Sequence, residues 1–141
     1  MLIPCWGKDL PSVLPYLSNL QTMVNKKIFI ADDDEAIVDA TVMMLEVMGY
    51  EVQHTLDGNA VPDAMANKPD LLLLDIWMSG VDGRDICRQI KSNPETSNIP
   101  VIMVSASRDI AQSALDAGAD GFLEKPFDMN NLLDKIDSLI N

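Results

Sequence analysis

The chain has few of the features that mark secretion, membrane insertion or nucleotide binding. Its only cysteines are Cys5 and Cys87, and their spacing fits neither a metal cluster nor a redox pair, so no disulfide framework is implied. A lone cysteine on a helical pattern, as at Cys87, is usually a small core residue. Every apolar run falls far short of the roughly 18 residues that a membrane span needs. No basic start leads into an apolar core and a cleavage site, so no secretory signal is indicated and the expected location is the cytoplasm. Neither GxGxxG nor GxxxxGK[ST] occurs, which removes the two glycine-rich phosphate cradles. Positive charge is scarce: 10 Lys and Arg stand against 22 Asp and Glu, for a net charge of -12. Before Lys26 only Lys8 and Asp9 are charged, and they cancel, so the acidic excess lies wholly on the later part. Such a surface argues against nucleic acid or anionic lipid as a direct partner. At 141 residues the chain suits one domain with a real core and is short for two.

What is present is organised around Leu71-Leu72-Leu73-Leu74-Asp75. A run that short and that apolar reads as a strand buried on both faces, inside a parallel sheet with helices above and below. Its terminal Asp75 then falls at the carboxyl edge of the sheet, where open α/β folds place their ligands. Taken alone, it could equally be a helix cap or a turn former. Two other stretches end in the same way: Ile28-Phe29-Ile30-Ala31 runs into Asp32-Asp33-Asp34, and Gly121-Phe122-Leu123-Glu124 runs into Lys125-Pro126. Parallel alignment of the three would gather Asp32, Asp33, Asp75 and Lys125 at one edge. Two carboxylates about 4 Å apart repel by roughly 4 kcal/mol at an effective dielectric near 20, so such a cluster needs a cation. Oxygen-only ligands with room left for water and phosphate suit magnesium better than zinc.

From Lys27 onward strand and helix patterns alternate, which predicts an α/β fold: a doubly wound, five-stranded parallel sheet with helices on both faces, flavodoxin-like in class. The first helix should open at Asp34 or Glu35 and stop at Gly49, with Ile37, Ala40, Thr41, Met44, Leu45 and Met48 as its core face. Val38, Val42, Met43 and Val47 make that helix apolar almost all round, either as a contact surface or as a methionine-rich helix and nothing more. A strand over 50–55 leads to a short helix over 60–66 with Pro62 in its first turn. Residues 79–83 read as a loop, 84–92 as a helix with Ile86 and Ile90 inward, and 101–105 as the fourth strand. Helices over 108–117 and from an Asp128 cap onward complete the pattern, the last with a stripe of Leu132, Leu133, Ile136, Leu139 and Ile140. Nothing after that helix reads as a linker or a second domain, and no internal repeat is evident. Residues 1–25 stand outside the pattern. Pro4, Pro11 and Pro15 break any long helix there, and Leu17, Leu20 and Val24 form at most a short apolar stripe. The segment is read as an extension, either upstream-translated or artificially appended, or else as a docking peptide; 26–141 is the domain.

In order, FIADDDEAI, LLLLDIWMSGVDG, VIMVSAS and GFLEKPF resemble the receiver domain of two-component response regulators. Each motif is weak singly, and four in this order and spacing are strong together. The resemblance implies that Asp75 is the phosphoacceptor and a metal ligand, Asp33 a direct magnesium ligand, and Asp32 an acid holding the Mg2+ through water. It makes the main-chain carbonyl of Trp77 the third protein ligand. Lys125 would pair with the acceptor and then with phosphoryl oxygens, after a cis peptide to Pro126. Ser105 would donate to the phosphoryl group, with Phe122 following it inward as a switch that alters the surface of the last two helices and the strand between them. Two positions depart from the family pattern. Phe122 replaces the commoner tyrosine, and Ser79 stands where proline is usual. Asp34 is read as a helix cap rather than a ligand.

The function implied is a stand-alone receiver resembling chemotaxis regulators. It would take a phosphoryl group from a histidine kinase or histidine phosphotransfer protein, act as a stoichiometric acceptor rather than an enzyme, and report to a downstream protein, with a dimer among the arrangements open to it. A receiver cut from a longer regulator or hybrid kinase is the alternative within the class. An aspartate-nucleophile phosphatase of the dehalogenase type also puts Asp after an apolar strand, but it wants a second acid where this chain has Trp77. A receiver-shaped binding module without chemistry would have no need of Asp32, Asp33, Asp75, Ser105 and Lys125 together.

Overall fold

The structure, a computed structural model, describes residues 26–141 apart from Ser79. The expectations placed on residues 1–25, and the Ser79 departure, lie outside the described residues. Five parallel strands, β1 (Lys27–Ala31), β2 (Glu51–Thr55), β3 (Leu71–Asp75), β6 (Val101–Ser105) and β7 (Gly121–Glu124), form one sheet in the order β2-β1-β3-β6-β7. Between β3 and β6 lies a small antiparallel hairpin, β4 (Trp77–Met78) and β5 (Val81–Asp82). The helices are α1 (Glu35–Val47), α2 (Val61–Ala64), α3 (Gly83–Ser92), α4 (Ala111–Asp116) and α5 (Met129–Ile140).

The central strands explain the two-sided packing. Every residue of β3 and of β6 is buried, and in an extended chain successive side chains face opposite ways. Leu72 and Leu74 accordingly join a core with Ile86, Cys87, Ile90 and Ala114, from α3 and α4. Leu71 and Leu73 join the other core, with Val38 and Leu45 of α1 and Leu132 and Ile136 of α5. Each such leucine contributes about 1.5–3 kcal/mol through burial, so the run that lacks alternation is the one that fixes both layers.

Local departures from the pattern have local causes. The α1 core face is Val38, Thr41 and Leu45, while Met44 is 39% exposed and Ala40 is exposed too. Two apolar stripes share Thr41 and Leu45, and the sheet takes the narrower one, which leaves Met43 and Val47 in solvent. Both α2 and α4 are shorter than their apolar pattern suggests. Gly58–Ala60 and Met65–Asn67 flank α2 as 3-10 turns, and Arg108–Ile110 precedes α4 as another. The 79–83 loop contains strand β5 of the hairpin. Helix starts follow the caps: Asp34 accepts from Ala36 and Ile37 N–H, Asp82 from Arg84 N–H, and Asp128 from Asn130 N–H.

Candidate functional site

Register brings the carboxyl ends of the strands level. Ala31 pairs with Leu74, Asp75 with Val104, and Ser105 with Glu124. The residues that follow β1 and β7 therefore meet the last residues of β3 and β6 at one edge. Main-chain bonds hold them there: Asp32 N–H donates to Thr55 O at 3.2 Å, Ile76 N–H to Val104 O at 3.0 Å, and Lys125 N–H to Ser105 O at 2.8 Å. Asp34 N–H donates to Asp32 Oδ1 at 2.9 Å, which fixes the carboxylate while Asp34 itself caps α1. The Lys125–Pro126 peptide is cis, as the resemblance implied.

At that edge Asp32, Asp33 and Asp75 each offer a carboxylate oxygen within 4.8 Å of the others; Asp32 and Asp75 are buried and Asp33 is exposed. Lys125 reaches in from β7, with Nζ 2.8 Å from Asp32 Oδ2 and 3.4 Å from Asp75 Oδ2. The lysine is thus bonded more closely to Asp32 than to the acceptor candidate. Burial, and then the neighbouring Asp32 charge, push the Asp75 carboxyl up to about 6. Burial alone would lower the Lys125 ammonium, but the adjoining Asp32 and Asp75 carboxylates together more than offset this and hold it above the ordinary lysine value. An all-oxygen set of this kind, with one exposed member, could hold a hard divalent cation that retains some of its water. The hard oxygen donors fit magnesium, and the absence of imidazole and thiolate from the cluster makes it a poor match for zinc.

Ser105 is buried at the end of β6, with its Oγ accepting from Ser107 N–H at 3.1 Å. Phe122 is half-buried and packs on the core shared by α3 and α4. Trp77 lies two positions after Asp75, and its side chain is 56% exposed. Sequence reasoning missed Gly83. A Cβ built there would collide with the main-chain oxygen of Asp75 and stand 3.1 Å from Ile76 Cα, so only glycine lets α3 start this close to the acceptor candidate. The Asp82-Gly83 pair was legible as a turn signal, but nothing local showed what the turn packs against.

A doubly wound sheet that gathers three acids and a lysine at its carboxyl edge defines a receiver-type domain. The family described as response regulator receiver domain matches residues 28–137, and the chain belongs to it. Among curated relatives, the DNA-binding dual master transcriptional regulator RpaA of Synechocystis is 38% identical over 117 residues, covering 81% of this chain and 48% of that protein. Response regulator MprA of a Mycobacterium strain is 34% identical over the same length, covering 81% and 50%. The chain spans about half the length of the curated relatives it matches. Among solved structures, a response regulator receiver domain from Bermanella marisrubri superposes with a TM-score of 0.75 at 32% identity, covering 82% of this chain and 98% of that one. The chemotaxis response regulator CheY4 of Vibrio cholerae does so with a TM-score of 0.75 at 25% identity, covering 81% and 98%. Among the described residues, no helix is long and apolar enough to cross a membrane.

Proposed function

We propose that this receiver accepts a phosphoryl group on Asp75 in a magnesium-dependent reaction and thereby switches the surface it offers to partners. The observation that carries this reading is the convergence of Asp32, Asp33, Asp75 and Lys125 at one sheet edge. A carboxylate oxygen of Asp75 attacks phosphorus, a new P–O bond forms as the donor's P–N bond breaks, and the leaving imidazole takes a proton. Such transfers ask mainly for positioning and charge neutralisation. With a folded-state value of about 6, Asp75 is largely ionised at neutral pH and ready as a nucleophile. Asp33 and Asp75, with the Trp77 carbonyl, would hold the magnesium and Asp32 would bind it through water; when bound, it supplies the positive charge that lets phosphoryl oxygens approach three acids. Lys125 shares its ammonium between Asp32 and the acceptor and is placed to follow the transferred oxygens. Ser105 gives a hydroxyl from the neighbouring strand end, and Phe122 is the ring that would fill the space behind it.

The donor is a histidine kinase or a histidine phosphotransfer protein, and the domain acts as a stoichiometric acceptor that loses its phosphoryl group slowly to water. A stand-alone receiver is the first form of the proposal; the excess of acid over base counts against direct nucleic-acid contact. Relatives twice as long favour a second form, a receiver within a longer regulator. Incubation with magnesium and acetyl phosphate should raise the intact mass by one phosphoryl group, and Asp75→Asn should abolish the gain. A gain that survives this substitution would remove Asp75 from the role.

A further inference from the structure

Helix α4 is anchored to the core by smaller side chains than its neighbours are. Among the described residues it is the one helix whose buried side chain is no larger than alanine: Ala114 is buried, with half-buried Ile110 before the helix and Ala117 after it, and Leu115 is exposed. The other helices each bury at least one branched aliphatic side chain, such as Leu45 in α1, Val61 in α2, Ile90 in α3 and Ile136 in α5. Apolar stabilisation scales with the area removed from water, so α4 is held less firmly than they are. An element with few buried apolar contacts belongs to the low-stability end of a fold, the part that opens first. Polar bonds then weigh more in fixing where it sits.

Among the described residues, two side-chain bonds tie the start of α4 to other elements. One runs from Arg108 Nε to Glu124 Oε1 at 3.2 Å, but the arginine is 82% exposed, and ion pairs that open to water contribute little. The other is better enclosed. Arg84, in the first turn of α3, donates from Nε to Asp82 Oδ1 at 3.0 Å and from one terminal nitrogen to Asp82 Oδ2 at 2.8 Å. Its other terminal nitrogen donates to Ser113 Oγ on α4 at 3.1 Å. The Ser113 hydroxyl donates in turn to Ile110 O at 2.9 Å, at the junction where the 3-10 turn passes into α4. A planar fork bonded on two sides is what arginine offers and lysine does not. The near end of this tie is fixed to the acceptor strand, since Gly83 N–H donates to Ile76 O and Gly83 lies against the Asp75 main-chain oxygen. The far end belongs to the turn into which Ser105 leads.

We propose that the bond between Arg84 and Ser113 is a latch that holds α4 in its unphosphorylated position, so that Arg84 sets how readily the domain switches. This rests on the phosphoacceptor reading of Asp75. Phe122 and Ile110 pack on the same core as Ala114, so a ring that follows Ser105 inward repacks the apolar side of α4 and carries the helix away from Arg84. The guanidinium does not follow, because Asp82 holds it by two bonds and the corner at Gly83 is closed. The bond therefore belongs to one state only, and a bond made in one state alone shifts the equilibrium towards that state. Arg84 acts through α4 rather than on the phosphoryl group.

The test uses the full chain and two readouts. Beryllofluoride, which mimics the phosphoryl group, is titrated in magnesium by calorimetry and reads the switched state. Hydrogen exchange of peptides covering residues 106–118, without metal or beryllofluoride, reads the latch by itself. A residue that merely supported the fold would weaken beryllofluoride binding when removed, whereas removal of a latch tightens it. Ser113→Ala leaves the pair of Arg84 and Asp82 in place. It should lower the half-saturating concentration about threefold to tenfold, the range expected for one net hydrogen bond, and should speed exchange in α4. Arg84→Ala should do the same, and the double variant should go no further than Arg84→Ala, because the two residues act as one unit. Ser113→Thr keeps the hydroxyl and should stay near wild type. Unchanged or weaker binding in Ser113→Ala overturns the proposal, as do additive shifts in the double variant, and the first of these results does not require Arg84→Ala to fold. A wild-type chain that binds no beryllofluoride refutes the phosphoacceptor reading and the switch with it; unchanged exchange in Ser113→Ala refutes the latch alone.

Discussion

Asp75→Asn should make the metal-free protein more stable at neutral and alkaline pH, although it removes the group on which the proposed function depends. The reason is the electrostatic state of the sheet edge. The three carboxylates offer oxygens within 4.8 Å of one another and repel, and Lys125 is closest to Asp32 rather than to Asp75. Burial first, and Asp32 second, raise the Asp75 carboxyl from 3.8 to about 6. An acid whose folded value lies above its unfolded one binds more protons when folded. Its ionisation therefore costs stability, with nothing lost below the unfolded value and the full loss present above about 6. A rise from 3.8 to about 6 corresponds to about 3 kcal/mol. Asparagine, neutral throughout, removes that cost. At pH 8 in EDTA the variant should melt roughly 9–12 °C higher than wild type, taking about 3–4 °C per kcal/mol for a domain of this size. At pH 5 about half of the difference in free energy should remain, and at pH 4 only a few tenths of a kcal/mol. Magnesium should narrow the gap at pH 8, because it binds the folded wild type and stabilises it by mass action. Thermal melts followed by circular dichroism at the three pH values make the comparison. Equal melting temperatures at pH 8, or a gap that does not shrink towards pH 4, would refute the account of strain at this edge.

Gly83→Ala should destabilise the domain by about 2–4 kcal/mol, since the added Cβ meets the Asp75 main-chain oxygen and the start of α3 must shift; urea unfolding measures it, and a change under about 0.5 kcal/mol would show that the loop yields freely. A chain starting at Met23 should unfold cooperatively and take up phosphoryl groups like the full one, because all four motifs follow that point; loss of cooperativity would make residues 1–22 part of the core. With Trp6→Phe as background, Trp77 fluorescence should change on adding magnesium and again on adding beryllofluoride, if its carbonyl binds the metal as proposed. A flat response to both would separate Trp77 from the site.

The layered fold was legible because β3 and β6 have no alternation: a strand such as Leu71–Asp75, buried at every position, allows one architecture, a parallel sheet covered on both sides. The meeting of Asp32, Asp33, Asp75 and Lys125 followed from the same reasoning, since each ends or follows an apolar strand. What stayed hidden depends on packing between elements distant in sequence. The core face of α1 could not be settled when two apolar stripes share Thr41 and Leu45, and only the sheet decides that Val38 turns inward and Met44 outward. Helices α2 and α4 have apolar patterns longer than their helical spans, because 3-10 turns take up their ends. The close approach of Gly83 to Asp75 and the bond from Arg84 to Ser113 join residues 8 and 29 positions apart, a relation that composition and periodicity do not carry.

The most direct measurement of the central claim is the position of the covalent bond. An acyl phosphate is reduced by borohydride to the alcohol, so an aspartyl phosphate becomes homoserine at the residue that carried it. After loading with magnesium and acetyl phosphate, borohydride treatment followed by peptide mass mapping should place homoserine at position 75 alone, with Asp32 and Asp33 intact. Homoserine at Asp32 or Asp33, or a phosphoryl group that resists reduction and maps to a hydroxyl side chain, would contradict the assignment of Asp75 as the acceptor.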